Sequence, residues 1–189
     1  MSEYTIDAEA DAVTLAAGDE FDVFQASTGR IKKATMLEVN TYVASTGLPA
    51  AAVNTTATTL TVTAAAHGNR VVTISSAAPI AITLPQATGT GTTYKFQMQV
   101  AATGTVSTIK VANATDVMQG IVFCLITATP FAENFGTSAT SDTISMDGST
   151  LGGVVGDVWE IQDVKTGFFS VRGYTAPTGT KATPFSATV

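Results

Sequence analysis

Large apolar residues recur at every second position through most of this chain, the period of a half-buried β-strand. The pattern is cleanest where Tyr94, Phe96, Met98 and Val100 fall on one side and Lys95, Gln97 and Gln99 on the other. Similar alternation or short apolar runs mark Leu60–Thr63, Arg70–Ser75, Ile80–Leu84, Val106–Val111, Met118–Ile126, Thr143–Met146, Val158–Val164 and Phe168–Arg172. Turn residues separate them: His67-Gly68-Asn69, Pro85, Gly89-Thr90-Gly91, Asp147-Gly148 and Thr166-Gly167. Asp147-Gly148 reads as a hairpin turn, and Thr166-Gly167 as the turn of a last hairpin. Roughly eight to ten short strands at close spacing predict two packed sheets or a barrel-like stack.

The N-terminal part has a different rhythm. Phe21–Phe24 and Ile31–Ala34 flank the turn Ser27-Thr28-Gly29 and predict a hairpin. Thr35-Met36-Leu37-Glu38 then has the form of a capping box, in which each end residue satisfies the other's amide. Met36, Leu37, Val39 and Val43 give the next segment an apolar stripe, and Gly47 and Pro49 stop it. The spacing predicts one helix over 35–45. The chain therefore divides into an N-terminal arm with a hairpin-plus-helix module (1–47) and a linker of small residues (48–59). A β-sandwich or jelly-roll-like domain (60–174) and an extended C-terminal tail (175–189) follow. The fold class expected is all-β.

Composition narrows the function. Charged residues make up 13% of the 189 positions, against roughly 25% in ordinary domains. Thr and Ala take their place, and Thr suits a pleated surface better than a solvent-facing helix. The net charge is −6, and no basic cluster exceeds Lys32-Lys33. A nucleic-acid binder needs a basic stripe to displace counterions, so direct nucleic-acid binding is not expected. Glu3, Asp7, Glu9, Asp11, Asp19, Glu20 and Asp22 precede any Lys or Arg, which suits either a solvated tail or an arm docking on a basic neighbour. The first residues lack the apolar core of a signal peptide, and no apolar run approaches the roughly 20 residues of a membrane span.

Candidate chemistry is sparse. Cys124 lies in the run Ile121–Ile126 and reads as a buried core residue. His67, the one histidine, reads as a turn or surface residue. Asp142, Asp147 and Asp157 could in principle ligate Ca²⁺, but their spacing matches no EF-hand and they read as turn formers. Asp157, Glu160 and Asp163 form a carboxylate series near Trp159 and read as solvent-facing strand positions. The aromatics Phe21, Phe24, Phe96, Phe123, Phe131, Phe135, Trp159, Phe168 and Phe169 read as core before ligand platform. No nucleophile elbow, phosphate-cradling loop or EF-hand spacing occurs. The expectation is no enzyme, no metal and no cofactor.

Two stretches carry a resemblance. Leu15-x-x-Gly18-Asp19-x-Phe21-x-Val23, with Gly29-x-Ile31-x-Lys33-x-Thr35 and Val39-x-x-Tyr42-Val43, resembles a module near the N-termini of tailed-bacteriophage fibre and appendage proteins. Val71–Ile74, Ile82-Thr83-Leu84-Pro85, Gly91–Phe96, Ile109–Asp116 and Val158–Ile161 are similar to a β-rich domain of phage structural proteins, including head decoration proteins and fibres. The resemblance implies a virion structural protein assembled in the host cytoplasm. It implies self-association, with a homotrimer expected, and contact with the major capsid protein or another virion protein. It carries over no functional residues; no membrane contact is expected, because no apolar run is long enough to span one. The short length favours a capsid decoration (cement) protein that bridges neighbouring capsid subunits with extended termini. The alternative is a short tail fibre or appendage that binds host surface glycan.

Overall fold

The computed structural model describes residues 20–25, 30–35, 51–125 and 132–189. The chain forms two compact units, Met1–Leu48 and Pro49–Val189. In the first, β1 (Glu20–Gln25) and β2 (Arg30–Thr35) pair antiparallel, from Glu20 opposite Thr35 to Gln25 opposite Arg30. This is the hairpin expected from the apolar pattern. The expected helix lies outside the described residues, apart from Thr35, which closes β2.

The second unit carries twelve strands and one short helix, counted among the described residues. In chain order they are β3 (Val53–Thr55), β4 (Thr59–Thr61), α1 (Ala64–His67), β5 (Arg70–Ile74), β6 (Ala81–Thr83) and β7 (Thr93–Met98). Then follow β8 (Ser107–Lys110), β9 (Val117–Leu125), β10 (Ala132–Gly136), β11 (Thr143–Met146), β12 (Val158–Lys165), β13 (Phe168–Thr175) and β14 (Phe185–Ser186). One sheet has the order β10-β9-β13-β12-β7-β5-β3, and the other β14-β11-β8-β6-β4. The domain is an all-β sandwich of two mixed sheets.

The period-two pattern sets which faces meet. Along β7, Tyr94, Phe96 and Met98 are buried while Thr93, Lys95 and Gln97 are not. Along β12, Trp159, Ile161 and Asp163 are buried and their neighbours point outward. The first sheet contributes Val72, Ile74, Phe96, Met118, Val122, Trp159, Phe169 and Val171 to the apolar layer. The second contributes Ile82, Ile109, Ile144, Met146 and Phe185. Each large aliphatic or aromatic side chain removed from water in this way contributes about 1.5–3 kcal/mol.

Half of the domain is wound as a coil. From β3 to β8 the chain alternates between the sheets, and successive turns stack in parallel. Val53, Val72 and Phe96 align in the first sheet, and Leu60, Ile82 and Ile109 in the second. Backbone bonds at the corners continue the ladders, with Ser75 N donating to Thr55 O and Ala81 N to Thr58 O, both at 2.9 Å. Parallel strands need a long crossover, and here each crossover is a strand of the opposite sheet. A jelly roll is built of antiparallel strands, so these parallel stacks distinguish the present sandwich. From β9 onward the pairings are antiparallel, except that β9 lies parallel to β13.

Three boundaries differ from the pattern-based reading. The expected linker at 48–59 contains β3 and the first residue of β4, so the domain begins well before residue 60. Small residues such as Val53 and Thr55 can pair in a ladder even where they cannot build a core. The tail at 175–189 is not a free arm. β14 pairs with β11, Phe185 is buried edge-on against Trp159 at 6.3 Å, and the Asp142 carboxylate accepts from Thr188 N and Val189 N. Asp147-Gly148 is not a hairpin turn either, because β11 pairs with β8 and β14 rather than with the next strand.

Trp159 is the largest fully buried side chain, and it lies over Gly173, its cross-strand partner. A Cβ at Gly173 would stand 2.7 Å from the indole Cε3 and Cζ3 atoms. A Cβ at Gly120 would stand 1.7 Å from the Val171 carbonyl oxygen, where β9 and β13 run close together. Gly173→Ala is expected to destabilise the protein by roughly 2–3 kcal/mol through overpacking. Adding Trp159→Phe to that variant is expected to recover part of the loss. Urea unfolding of the two single variants and the double variant measures this coupling, and strictly additive losses would contradict it.

Candidate functional site

The outward face of the seven-stranded sheet is open among the described residues, and its registers place polar and aromatic side chains in rows. One row runs Asn134, Phe123, Tyr174, Val158, Gln97, Thr73, Asn54 across all seven strands. The next runs Ile121, Arg172, Glu160, Lys95, Val71. Side chains opposite one another in a ladder are about 4.5–5.5 Å apart at Cβ, so each row acts as a continuous surface. Lys95, Val158, Glu160, Arg172 and Tyr174 line a recess of about 280 Å³. This is just below the roughly 300–1,000 Å³ of ligand clefts. Tyr174 stacks on Phe123, with centroids 5.7 Å apart and planes 17° off parallel, and is still 58% exposed.

The buried carboxylates do a different job: they hold loops. Asp163 is 2% exposed and accepts from the backbone amides of Thr88, Gly89 and Thr90 and from the Thr88 and Thr90 hydroxyls. Burial pushes its carboxyl up, but these donors outweigh burial and leave it below the usual carboxylate range. Asp147 behaves alike: burial is outweighed by the Thr150 hydroxyl and the Leu151 and Ser149 amides. Asp157 accepts from the Ala176, Gly153 and Val154 amides, yet burial dominates and holds it above the usual range. Asp116 accepts from Ala87 N and from the Asn113 amide.

Asp157 and Asp163 are buried rather than solvent-facing, and only Glu160 of that series reaches the outer face. The strand period places Asp163 on the inner face, and three unpaired loop amides are what make a carboxylate tolerable there. Asp147 organises a turn as expected, whereas Asp142 is buried and anchors the C-terminus. His67 is 8% exposed rather than at the surface. It ends α1, and its Nδ1 accepts from Thr63 N at 3.0 Å. Cys124 is a core residue, with burial pushing its thiol up and Thr175 Oγ1 3.3 Å from its sulfur. Phe96, Trp159 and Phe169 are core, and half-buried Phe135 packs against it, but Phe123 belongs to the outer row. Phe21, Phe24 and Phe131 have no described side chains.

The recess was missed because its parts are far apart in sequence. Lys95 and Glu160 each read singly as an outward strand position, and Arg172 only as the end of a strand. Among the described residues, no group of three or more His, Cys, Asp or Glu side chains could hold a metal ion. No helix there is long and apolar enough to cross a membrane. The chain matches no known family, and no curated protein or solved structure is significantly similar to it.

Asp163→Ala strands three loop amides, and a loss of about 2–3 kcal/mol is expected, whereas Glu160→Ala on the open face is expected to change stability by less than about 0.5 kcal/mol. The pH dependence follows from the signs. Asp163 and Asp147 are lowered in the folded state, so their stabilisation is complete above roughly pH 4, their unfolded range. It is lost as pH falls through their folded values. Asp157 is raised, so its ionisation opposes folding at neutral pH and that cost falls on acidification. Asp163→Asn is therefore expected to flatten the acid limb of stability against pH, as measured by urea midpoints between pH 7 and pH 2. An unchanged limb would show that Asp163 does not drive it.

Proposed function

We propose that the chain is a structural protein of a tailed-bacteriophage particle, acting as a capsid decoration (cement) protein. In this reading a homotrimer bridges neighbouring capsid subunits and lends the shell strength through many weak contacts held together. The observation that carries the reading is the employment of the inward-facing carboxylates. Buried Asp116, Asp142, Asp157 and Asp163, with half-buried Asp147, all bind the domain's own backbone or its neighbouring polar groups. Such a domain is stiff at its loops, which suits a load-bearing part better than a catalyst that must open and close. The two-unit division also suits it, with one unit for attachment and one for the body.

The clamp in this reading differs from a pair of loose termini. Residues 185–189 are engaged inside their own domain, so gripping falls to the N-terminal unit and to sheet edges. β3, β4 and β10 are edge strands among the described residues. Such edges can take an extended segment from a neighbour by main-chain hydrogen bonds.

Sedimentation equilibrium of the purified chain is expected to give a trimer. A label fused after Val189 is expected to spread over the particle head in electron micrographs. Label confined to the tail would overturn head decoration, and a concentration-independent monomer would remove the trimer.

A further inference from the structure

We infer that the recess beside Tyr174 is a binding site for a carboxylate-bearing saccharide. The inference is independent of where the chain sits on a particle, since it concerns the surface of a single domain. Two adjacent rows of the outer face supply the chemistry. Tyr174 stacks on Phe123 and stays more than half exposed, so part of the ring remains available to a ligand. Pyranose rings present a flat face of C–H groups that packs on such an aromatic surface. Because Phe123 holds the ring in place, binding does not have to freeze it.

The polar partners have the right chemistry. Arg172 and Lys95 lie on either side of Glu160 in one cross-strand row, so the recess carries two cations and one carboxylate within a chain of net charge −6. A guanidinium binds a carboxylate through two parallel hydrogen bonds. Glu160 can accept from sugar hydroxyls, and Gln97 and Thr73 continue the neighbouring row with further donors and acceptors. Val158 adds an apolar side chain to the lining.

Other occupants fit less well. The core of a protein–protein interface is depleted of charge, whereas three charged side chains line this recess. A nucleic acid would need a basic stripe, whereas the cations here number two and flank a carboxylate. The recess of about 280 Å³ suits one or two sugar rings rather than a folded partner.

The test is calorimetric titration of the full chain with oligogalacturonate, oligomannuronate and sialyllactose. Methyl-esterified oligogalacturonate and maltotriose serve as the uncharged counterparts. At least one acidic probe is expected to bind saturably, and its uncharged counterpart at least tenfold more weakly. Tyr174→Ala and Arg172→Gln are each expected to weaken binding at least tenfold with an unchanged melting temperature. Lys95→Gln replaces either variant that proves unstable. Amide shifts at residues 95, 158, 160, 172 and 174 in an NMR titration are expected to place the ligand. The inference is overturned if no acidic probe binds, if neutral probes bind equally well, or if binding survives the substitutions.

Discussion

The closure of two sheets over one apolar layer is the constraint on which everything else in the domain depends. Each strand has one apolar face, and water must be kept from all of them at once. The layer is packed around Trp159, which rests on Gly173 in its own sheet and meets Phe185 edge-on from the opposite one. Its indole N–H has no hydrogen-bond partner among the described residues. An unsatisfied buried donor costs about 1–3 kcal/mol. The ring is nonetheless retained, since its area and fit to glycine outweigh that loss.

Closure creates a second problem at the corners. A chain that passes from one sheet to the other leaves backbone amides unpaired where the ladders end. The acidic residues solve it locally. Asp163 gathers the amides of the β6–β7 loop, Asp157 joins the loop before β12 to the segment after β13, and Asp142 secures the last two residues. The solution has an electrostatic consequence. Asp163 and Asp147 gain enough hydrogen bonds to favour their charge, while Asp157 lies deep enough that its charge is disfavoured despite three donors. One composition thus produces carboxylates of opposite sign in their effect on stability.

Engaging these carboxylates with the domain's own backbone leaves the outer face of the large sheet as its chemically varied surface. There the rows of the ladder bring together residues from β7, β12 and β13 that no loop could hold so firmly. Strands make a rigid platform, so Tyr174, Arg172, Glu160 and Lys95 keep their spacing without ligand. A saccharide site built this way would be preorganised, and the same rigidity would serve a shell component.

Much of the fold was legible in the chain. Alternation at Tyr94, Phe96 and Met98 identified β7 and its buried face, and the apolar run around Val122 and Cys124 identified β9. Local pairing between neighbours in sequence was also readable, as in β1–β2 and β12–β13. Pattern could not reveal the coil from β3 to β8. Its turns differ in length, so Val53, Val72 and Phe96 align without a fixed repeat. Nor could it separate buried Asp163 from outward-facing Glu160, because whether a carboxylate can be buried depends on the donors that the distant residues 88–90 bring to it. The sequence by itself determined most of the longer strands and the class of fold, because side-chain period and turn chemistry are local. Only the tertiary structure decided the strand order, the fate of the C-terminal segment and the assembly of the recess. Those depend on which distant backbone and side-chain groups come within hydrogen-bonding reach.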